Sequence, residues 1–273
     1  MKPVKWILAA SAAVLAAVSC GPRKDAPKVL VLYYSQTSNT KAVAEEIANR
    51  LGADIEEVKA TVPYDGDFEA TIQRSLRERE EKTLPEIQPI KSDIASYDII
   101  FVGSPIWFGT YAPPMASAFN QIDLSGKKLV PFCTFGSGGL TSSAKDLAEK
   151  FPDAEVLPGY GVRAARMDAM PGEIDQFLKA NGWLEGEYVK LDEFPEAHEV
   201  SEEEAAIFDA AVAGYRMLNA KASKVASRSI PNGTEYLFTA LSAPREPGAP
   251  LMEIQVYVNA EEGKDPVFTQ VVR

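Results

Sequence analysis

Val29-Leu30-Val31-Leu32-Tyr33-Tyr34-Ser35-Gln36-Thr37-Ser38-Asn39-Thr40 decides how the first part of this chain folds. Six apolar or aromatic residues run without a polar break, as a strand covered on both faces requires. A cluster of hydroxyls and amides follows. Val43, Ile47 and Leu51 then recur on one helical stripe, which Gly52 ends. The pattern repeats outward from there. Ala53 to Val58 reads as a second strand, charged enough for an exposed edge. Asp67 to Thr83 reads as a helix that buries Phe68, Ile72, Leu76 and the stem of Arg79, with Arg74, Arg77, Glu78, Glu80 and Glu81 as a solvated face. Tyr97 to Gly103, Leu129 to Phe135 and a weaker stretch around Val156 to Val162 supply three more strands. Pro158, Gly159 and Gly161 mark a bulge or a loop there. Helices are expected near Pro114 to Ile122, Thr141 to Lys150 and Gly172 to Asn181. This alternation predicts an α/β fold with a doubly wound, five-stranded parallel sheet.

Three of the strand-to-helix connections suit one ligand, because loops at the carboxyl ends of strands form the crevice of such a sheet. Loop 1, Ser35 to Thr40, offers the hydroxyls of Ser35, Thr37, Ser38 and Thr40 and the amide of Asn39 at a helix start, a setting for a phosphate. The alternative is an ordinary cluster of N-capping residues. Loop 2 places Ile106, Trp107 and Phe108 between Pro105 and Gly109. Aromatic groups at a crevice edge call for cover, which a stacked planar ring supplies. Packing against the next helix or the second domain is the alternative, and for Phe108 the two readings weigh equally. Loop 3 runs through Thr134, Phe135, Gly136, Ser137, Gly138 and Gly139. Its glycines permit close backbone approach along the ring's other side, or make a flexible connection. Phosphate site plus aromatic face suggests flavin mononucleotide (FMN), and hence redox chemistry. No metal site is expected.

The remaining features set the surroundings. Lys2 and Lys5 precede an Ala-rich apolar stretch from Trp6 to Val18, which fits an export signal. The formal charge of −11 excludes a phosphate-tracking surface, so nucleic acid is not an expected partner. Of the two cysteines, Cys133 lies in a strand-like run and reads as a buried structural residue.

Asp192 to Val200 is acidic, contains Pro195 and reads as a linker; His198 within it is not expected to donate a proton. Ser201-Glu202-Glu203-Glu204 has the spacing of a capping box, and Ile207, Ala211, Tyr215 and Leu218 follow at helical spacing. Pro231-Asn232-Gly233 then turns a hairpin between alternating runs; Tyr236, Phe238 and Ala240 share one face, as do Met252, Ile254, Val256 and Val258. With Val267 to Val272 this predicts a small α+β domain, one helix on a four-stranded antiparallel sheet.

Several segments resemble known families. Ala17-Val18-Ser19-Cys20-Gly21 resembles a bacterial lipoprotein cleavage box, which implies lipidation at Cys20, with residues 1–19 as signal and 20–27 as tether. It also implies anchoring outside the cytoplasm, in the cell envelope, on the periplasmic side or the outer membrane. Tyr34 to Thr40, Ser104 to Gly109 and Phe132 to Gly138 look like the three FMN loops of flavodoxin-like proteins, with Tyr97 to Gly103 as the strand entering the second. The resemblance spans about residues 28–182. It implies strand order 2-1-3-4-5, the order for which flavodoxin is itself the standard example, and noncovalent FMN. Many members carry Gly where Ser38 stands. The acidic surround and Trp107 are expected to lower the flavin's potential, with electrons drawn from a redox partner protein or NAD(P)H. The rival expectation is a cofactor-free interaction scaffold. Val225-Ala226-Ser227 and Asn232 to Tyr236, with the element order, are similar to a cystatin-type domain over about residues 198–273. Inhibitory cystatins carry a Gln-x-Val-x-Gly wedge where this chain has Ser229-Ile230-Pro231-Asn232-Gly233. The expectation is therefore a protein-binding module rather than a protease inhibitor. The domain boundaries that follow are 28–191 and 201–273, joined by 192–200.

Overall fold

A computed structural model describes residues 27–65, 67–243 and 250–273. The export signal, the tether and Cys20 lie outside the described residues.

The first half is the expected doubly wound sheet. β1 (Val29–Tyr33), α1 (Asn39–Leu51), β2 (Asp54–Glu57), α2 (Phe68–Glu80), β3 (Ile99–Trp107), β4 (Thr110–Tyr111), α3 (Pro113–Phe119), β5 (Lys128–Phe135), α4 (Leu140–Lys150), β6 (Glu155–Val156), β7 (Tyr160–Arg163) and α5 (Met170–Ala180) follow in chain order. The parallel order is β2-β1-β3-β5-β6, and β7 also pairs with β5. The fifth position is thus split in two, with Leu157 to Gly159 forming a loop between β6 and β7. A side chain at Gly159 would meet the Pro131 carbonyl at 2.3 Å, so the backbone passes close to its neighbour there.

Both faces of the sheet are covered, which is why its strands read as unbroken apolar runs. Leu30, Leu32, Ile100 and Val102 point into one core with Met115 of α3 and Leu147 of α4. Val31, Tyr33, Ile99 and Phe101 point into the other with Val43 and Ile47 of α1 and Ile174 of α5. Gly103 is demanded by packing, since a Cβ there would sit 2.0 Å from the ring of Phe132.

The second domain comprises β8 (His198–Glu199), α6 (Glu202–Val212), β9 (Ala220–Ile230), β10 (Gly233–Ser242), β11 (Met252–Glu261) and β12 (Val267–Val272). They form an antiparallel sheet in the order β12-β11-β10-β9-β8. The sequence reading had four strands here; the fifth, β8, is a two-residue edge within the acidic segment read as linker. Ser201 and Glu204 make the capping box that starts α6. Phe208 then packs with Phe238, Ala240, Ile254, Val256 and Val258, the faces expected from the alternation. Tyr215 and Leu218 lie beyond the end of α6 yet still pack on this core.

Candidate functional site

Loops 1, 2 and 3 leave β1, β3 and β5, which are hydrogen-bonded neighbours in the sheet. Parallel pairing therefore carries all three to the same edge. A buried hydrogen bond of 2.8 Å between the hydroxyls of Thr40 and Thr134 ties loop 1 to loop 3. Ile106 of loop 2 lies against Gly139 of loop 3, where a Cβ would come within 2.6 Å of it.

In loop 1 the Ser/Thr/Asn cluster does not cap its helix. Ser38 occupies the N-cap of α1 but makes no side-chain cap bond, and its φ is +66°. That left-handed conformation is costly for a residue with a Cβ, which gives a physical reason for glycine at this place. The Tyr34 amide bonds the Gly103 carbonyl and the Ala42 amide bonds Ser38, but among the described residues no protein acceptor takes the amides from Ser35 to Lys41. The Ser35 hydroxyl is buried and without a hydrogen-bond partner. Orphan amides at a helix start, next to an orphan buried hydroxyl, make an anion cradle. Thr37 is exposed and Asn39 half-buried at the first helical position. Thr40 and Thr134 lie in the interior, their hydroxyls turned to each other.

Loop 2 is more ordered than a simple loop. β3 continues through Pro105 and Ile106 to Trp107, then turns back into β4. Phe108 and Gly109 hold the turn with φ of +51° and +85°. Positive φ at both central positions matches the twist of a two-residue hairpin, but it strains a residue as bulky as Phe. Trp107 is half-buried, with the edges of Tyr64 and Tyr34 against it at centroid distances of 5.2 and 6.0 Å. Phe108 remains 45% exposed, with the Arg79 guanidinium 5.7 Å from its ring centre. A cavity of about 330 Å³ opens beside both aromatics, on the side of Ser75, Glu78 and Arg79.

The helix α2 corrects the sequence reading. Its buried residues are Thr71 and Ser75, while Phe68, expected inside, is 80% exposed. Arg74 and Glu78, expected in solvent, are structural: the Arg74 guanidinium stacks 3.7 Å from the Tyr64 ring, bonds the Val62 and Pro63 carbonyls, and pairs with Glu78. The Tyr64 hydroxyl donates to Glu78. Gln36 of loop 1 donates to the Tyr64 carbonyl and to Thr71. So α2 and the segment before it pack on loops 1 and 2.

Loop 3 is held by a residue that the sequence reading missed. Arg163, at the end of β7, is buried. Its Nε donates to the Gly136 carbonyl at 2.9 Å and its Nη1 to the Phe268 carbonyl of the second domain at 2.8 Å. Its guanidinium lies 3.4 Å from the Phe268 ring centre. Burial pulls its pKa down to about 10, with Tyr215 acting in the opposite sense. The charged side chain bonded to loop 3 is thus a cation. The signal was a charged residue closing the otherwise uncharged Tyr160-Gly161-Val162 strand. Burial pushes the Cys133 thiol up to about 12, so it is inert. His198 is exposed, with Nε2 3.0 Å from Glu204, far along the chain from the three loops.

The profile of a protein family described as Flavodoxin matches residues 28–170. Among characterised relatives, the NAD(P)H dehydrogenase (quinone) of Gluconacetobacter diazotrophicus is 36% identical over 99 residues, covering 34% of this chain and 46% of that protein. The corresponding protein of Cupriavidus metallidurans is 33% identical over 99 residues, with the same coverage. The chain thus spans less than half the length of these relatives. Among solved structures, a protein described as a flavoprotein, from Bacteroides eggerthii, is 29% identical with a TM-score of 0.48, over 55% of this chain and 97% of that one. A flavoprotein of Lactobacillus acidophilus solved in complex with FMN is 27% identical with a TM-score of 0.46, over 55% and 97%.

Proposed function

The chain belongs to the flavodoxin family, and from that premise we propose that its first domain is an FMN-dependent redox module working outside the cytoplasm. The observation that carries this reading is the uncapped start of α1. Its amides and the buried Ser35 hydroxyl lack partners, in a loop whose side chains had every means to cap the helix. A phosphate monoester supplies the acceptors they lack.

In this reading Ser35, Thr37, Ser38 and Asn39 hold the phosphate, and Thr40 fixes loop 1 against Thr134. Trp107 offers its ring to the tricycle, with Pro105, Ile106, Phe108 and Gly109 forming that wall. On the opposite side loop 3 presents Gly136 and Gly139, while Thr134 and Phe135, offered by the sequence for the same wall, are buried and support it from within. When bound, the flavin would supply the electron-carrying chemistry. The protein's own part is to bind, orient and shield. Electrons come from NAD(P)H or from a redox partner protein. The quinone dehydrogenase relatives support a small-molecule route, and the chain is then an oxidoreductase rather than a carrier. Lipidation at Cys20 places the domain at the membrane, in the cell envelope. The cystatin-like order of one helix before four long strands supports a protein-binding role for the second domain.

The test is direct. The purified mature protein, titrated with FMN, should quench flavin fluorescence and perturb its visible spectrum, and Trp107→Ala should weaken FMN and riboflavin alike. Absence of binding at tens of micromolar FMN would instead leave the cofactor-free scaffold standing. Stopped-flow mixing of the loaded protein with NADH or NADPH then separates a reductase from a carrier.

A further inference from the structure

The second domain does not hang free of the flavin-type site. It holds one carbonyl of loop 3 directly and is tied to the preceding one through Arg163 of β7. The Val271 amide of β12 donates to the Ser137 carbonyl at 2.6 Å. Arg163 bridges the Gly136 carbonyl to the Phe268 carbonyl. The surfaces are in close contact at two glycines: a Cβ at Gly138 would lie 2.0 Å from the Val271 carbonyl oxygen, and one at Gly136 would lie 3.2 Å from the Tyr215 hydroxyl.

This grip has a stereochemical consequence. In a trans peptide the carbonyl of one residue and the amide of the next point in opposite directions, and the described chain has no cis peptide. Bonding the Ser137 carbonyl to β12 therefore turns the Gly138 amide away from the second domain, and bonding the Gly136 carbonyl to Arg163 turns the Ser137 amide away from that guanidinium. Neither amide has a protein acceptor among the described residues. A flexible glycine loop would otherwise sample many orientations of these groups.

We propose that the second domain moulds loop 3, with Arg163 as the positioning residue, so that the Ser137 and Gly138 amides stand ready for the oxygen and nitrogen acceptors of a flavin ring. The inference rests on the FMN reading above. It makes the second domain a structural part of the cofactor site in addition to any partner it binds. Arg163 acts through geometry: only a guanidinium fork reaches two carbonyls of different domains while lying flat on Phe268.

The experiment uses the full mature chain and compares FMN with riboflavin, which lacks the phosphate. Val271→Pro deletes the gripping amide at an edge strand, a place where proline is tolerated. Arg163→Lys keeps the charge and removes the fork. Each should lower affinity about three- to tenfold, by the same factor for FMN and riboflavin, because loop 3 meets the ring. Ser35→Ala should weaken FMN alone. The two-electron midpoint potential of bound FMN should move negative in Val271→Pro, since amide donors favour the electron-rich reduced ring. Circular dichroism checks the fold, and if Val271→Pro fails to fold, Arg163→Lys decides. Unchanged affinities and potential in the folded variants, with Ser35→Ala still weakening FMN, overturn the moulding and leave the flavin reading intact. Full rescue by Lys overturns the positioning role in favour of charge alone. Failure of the wild-type chain to bind FMN removes both readings together.

Discussion

Ser35 carries the sharpest consequence at the scale of one residue. A buried hydroxyl without a partner costs about 1–3 kcal/mol, so its presence in the free protein is a liability that a ligand cancels. Ser35→Ala should therefore raise the stability of the ligand-free protein by about 1 kcal/mol while weakening FMN. Urea unfolding with and without FMN measures both, and a variant less stable in both conditions would show that the hydroxyl has an internal partner. Cys133 makes the opposite kind of prediction. With its folded pKa raised to about 12 by burial, its neutral form is favoured by folding. That stabilisation is full below the ordinary thiol pKa of about 8.5 and is lost as pH rises through the folded value. Native protein should resist alkylation at pH 8 and react once unfolded. Rapid labelling of the folded chain would place the thiol at the surface.

Among the elements, α6 is the one most legible in sequence, because its start is a local contract between two side chains. Ser201 accepts from the Glu204 amide, and the Glu204 carboxylate takes the Ser201 amide and hydroxyl. Removing the cap with Ser201→Ala should cost about 1 kcal/mol of stability. The backbone bond from Ser201, joined by its hydroxyl and His198 and opposed by desolvation, holds the Glu204 carboxyl below the usual range. A depressed carboxyl contributes stability above the ordinary pKa of about 4.3 that is lost as pH falls through the folded value. Glu204→Gln should flatten that acid limb in a pH series of thermal melts, and an unchanged slope would remove Glu204 from the account. The apolar runs of β1 and β3 were equally legible, since two-sided burial leaves no room for a polar break. The helix α2 was not. Its apolar residues sit at helical spacing, but it packs on Tyr64 and loop 1 through Thr71, Ser75, Arg74 and Gln36, and small polar residues give no hydrophobic stripe. Loop 2 hid its hairpin for a related reason. Phe108-Gly109 lacks the Asn or Asp that normally announces a turn with positive φ.

For the whole molecule, Gly138 is where the two domains are most sensitive to one added carbon. In the sequence the loop 3 glycines promise room for a ligand, yet Gly138 makes room for the second domain, and nothing local could have said so: Val271 lies more than a hundred residues away. Arg163 was illegible for the same reason, since both of its carbonyl partners are distant in sequence and neither leaves a side-chain signature. Gly138→Ala sets a Cβ against the Val271 carbonyl, and overpacking of this kind costs about 1–3 kcal/mol. Because this contact joins loop 3 to β12 and lies within neither core, the strain should be relieved by parting the domains rather than by unfolding either core. Wild-type protein should melt in one coupled transition and resist proteolysis in the stretch between α5 and β8. Gly138→Ala should melt in two steps and be cut in that stretch faster, yielding two protected fragments. A single transition with unchanged cleavage would mean that the cores stay coupled without this contact and that the grip on loop 3 contributes nothing to their coupling.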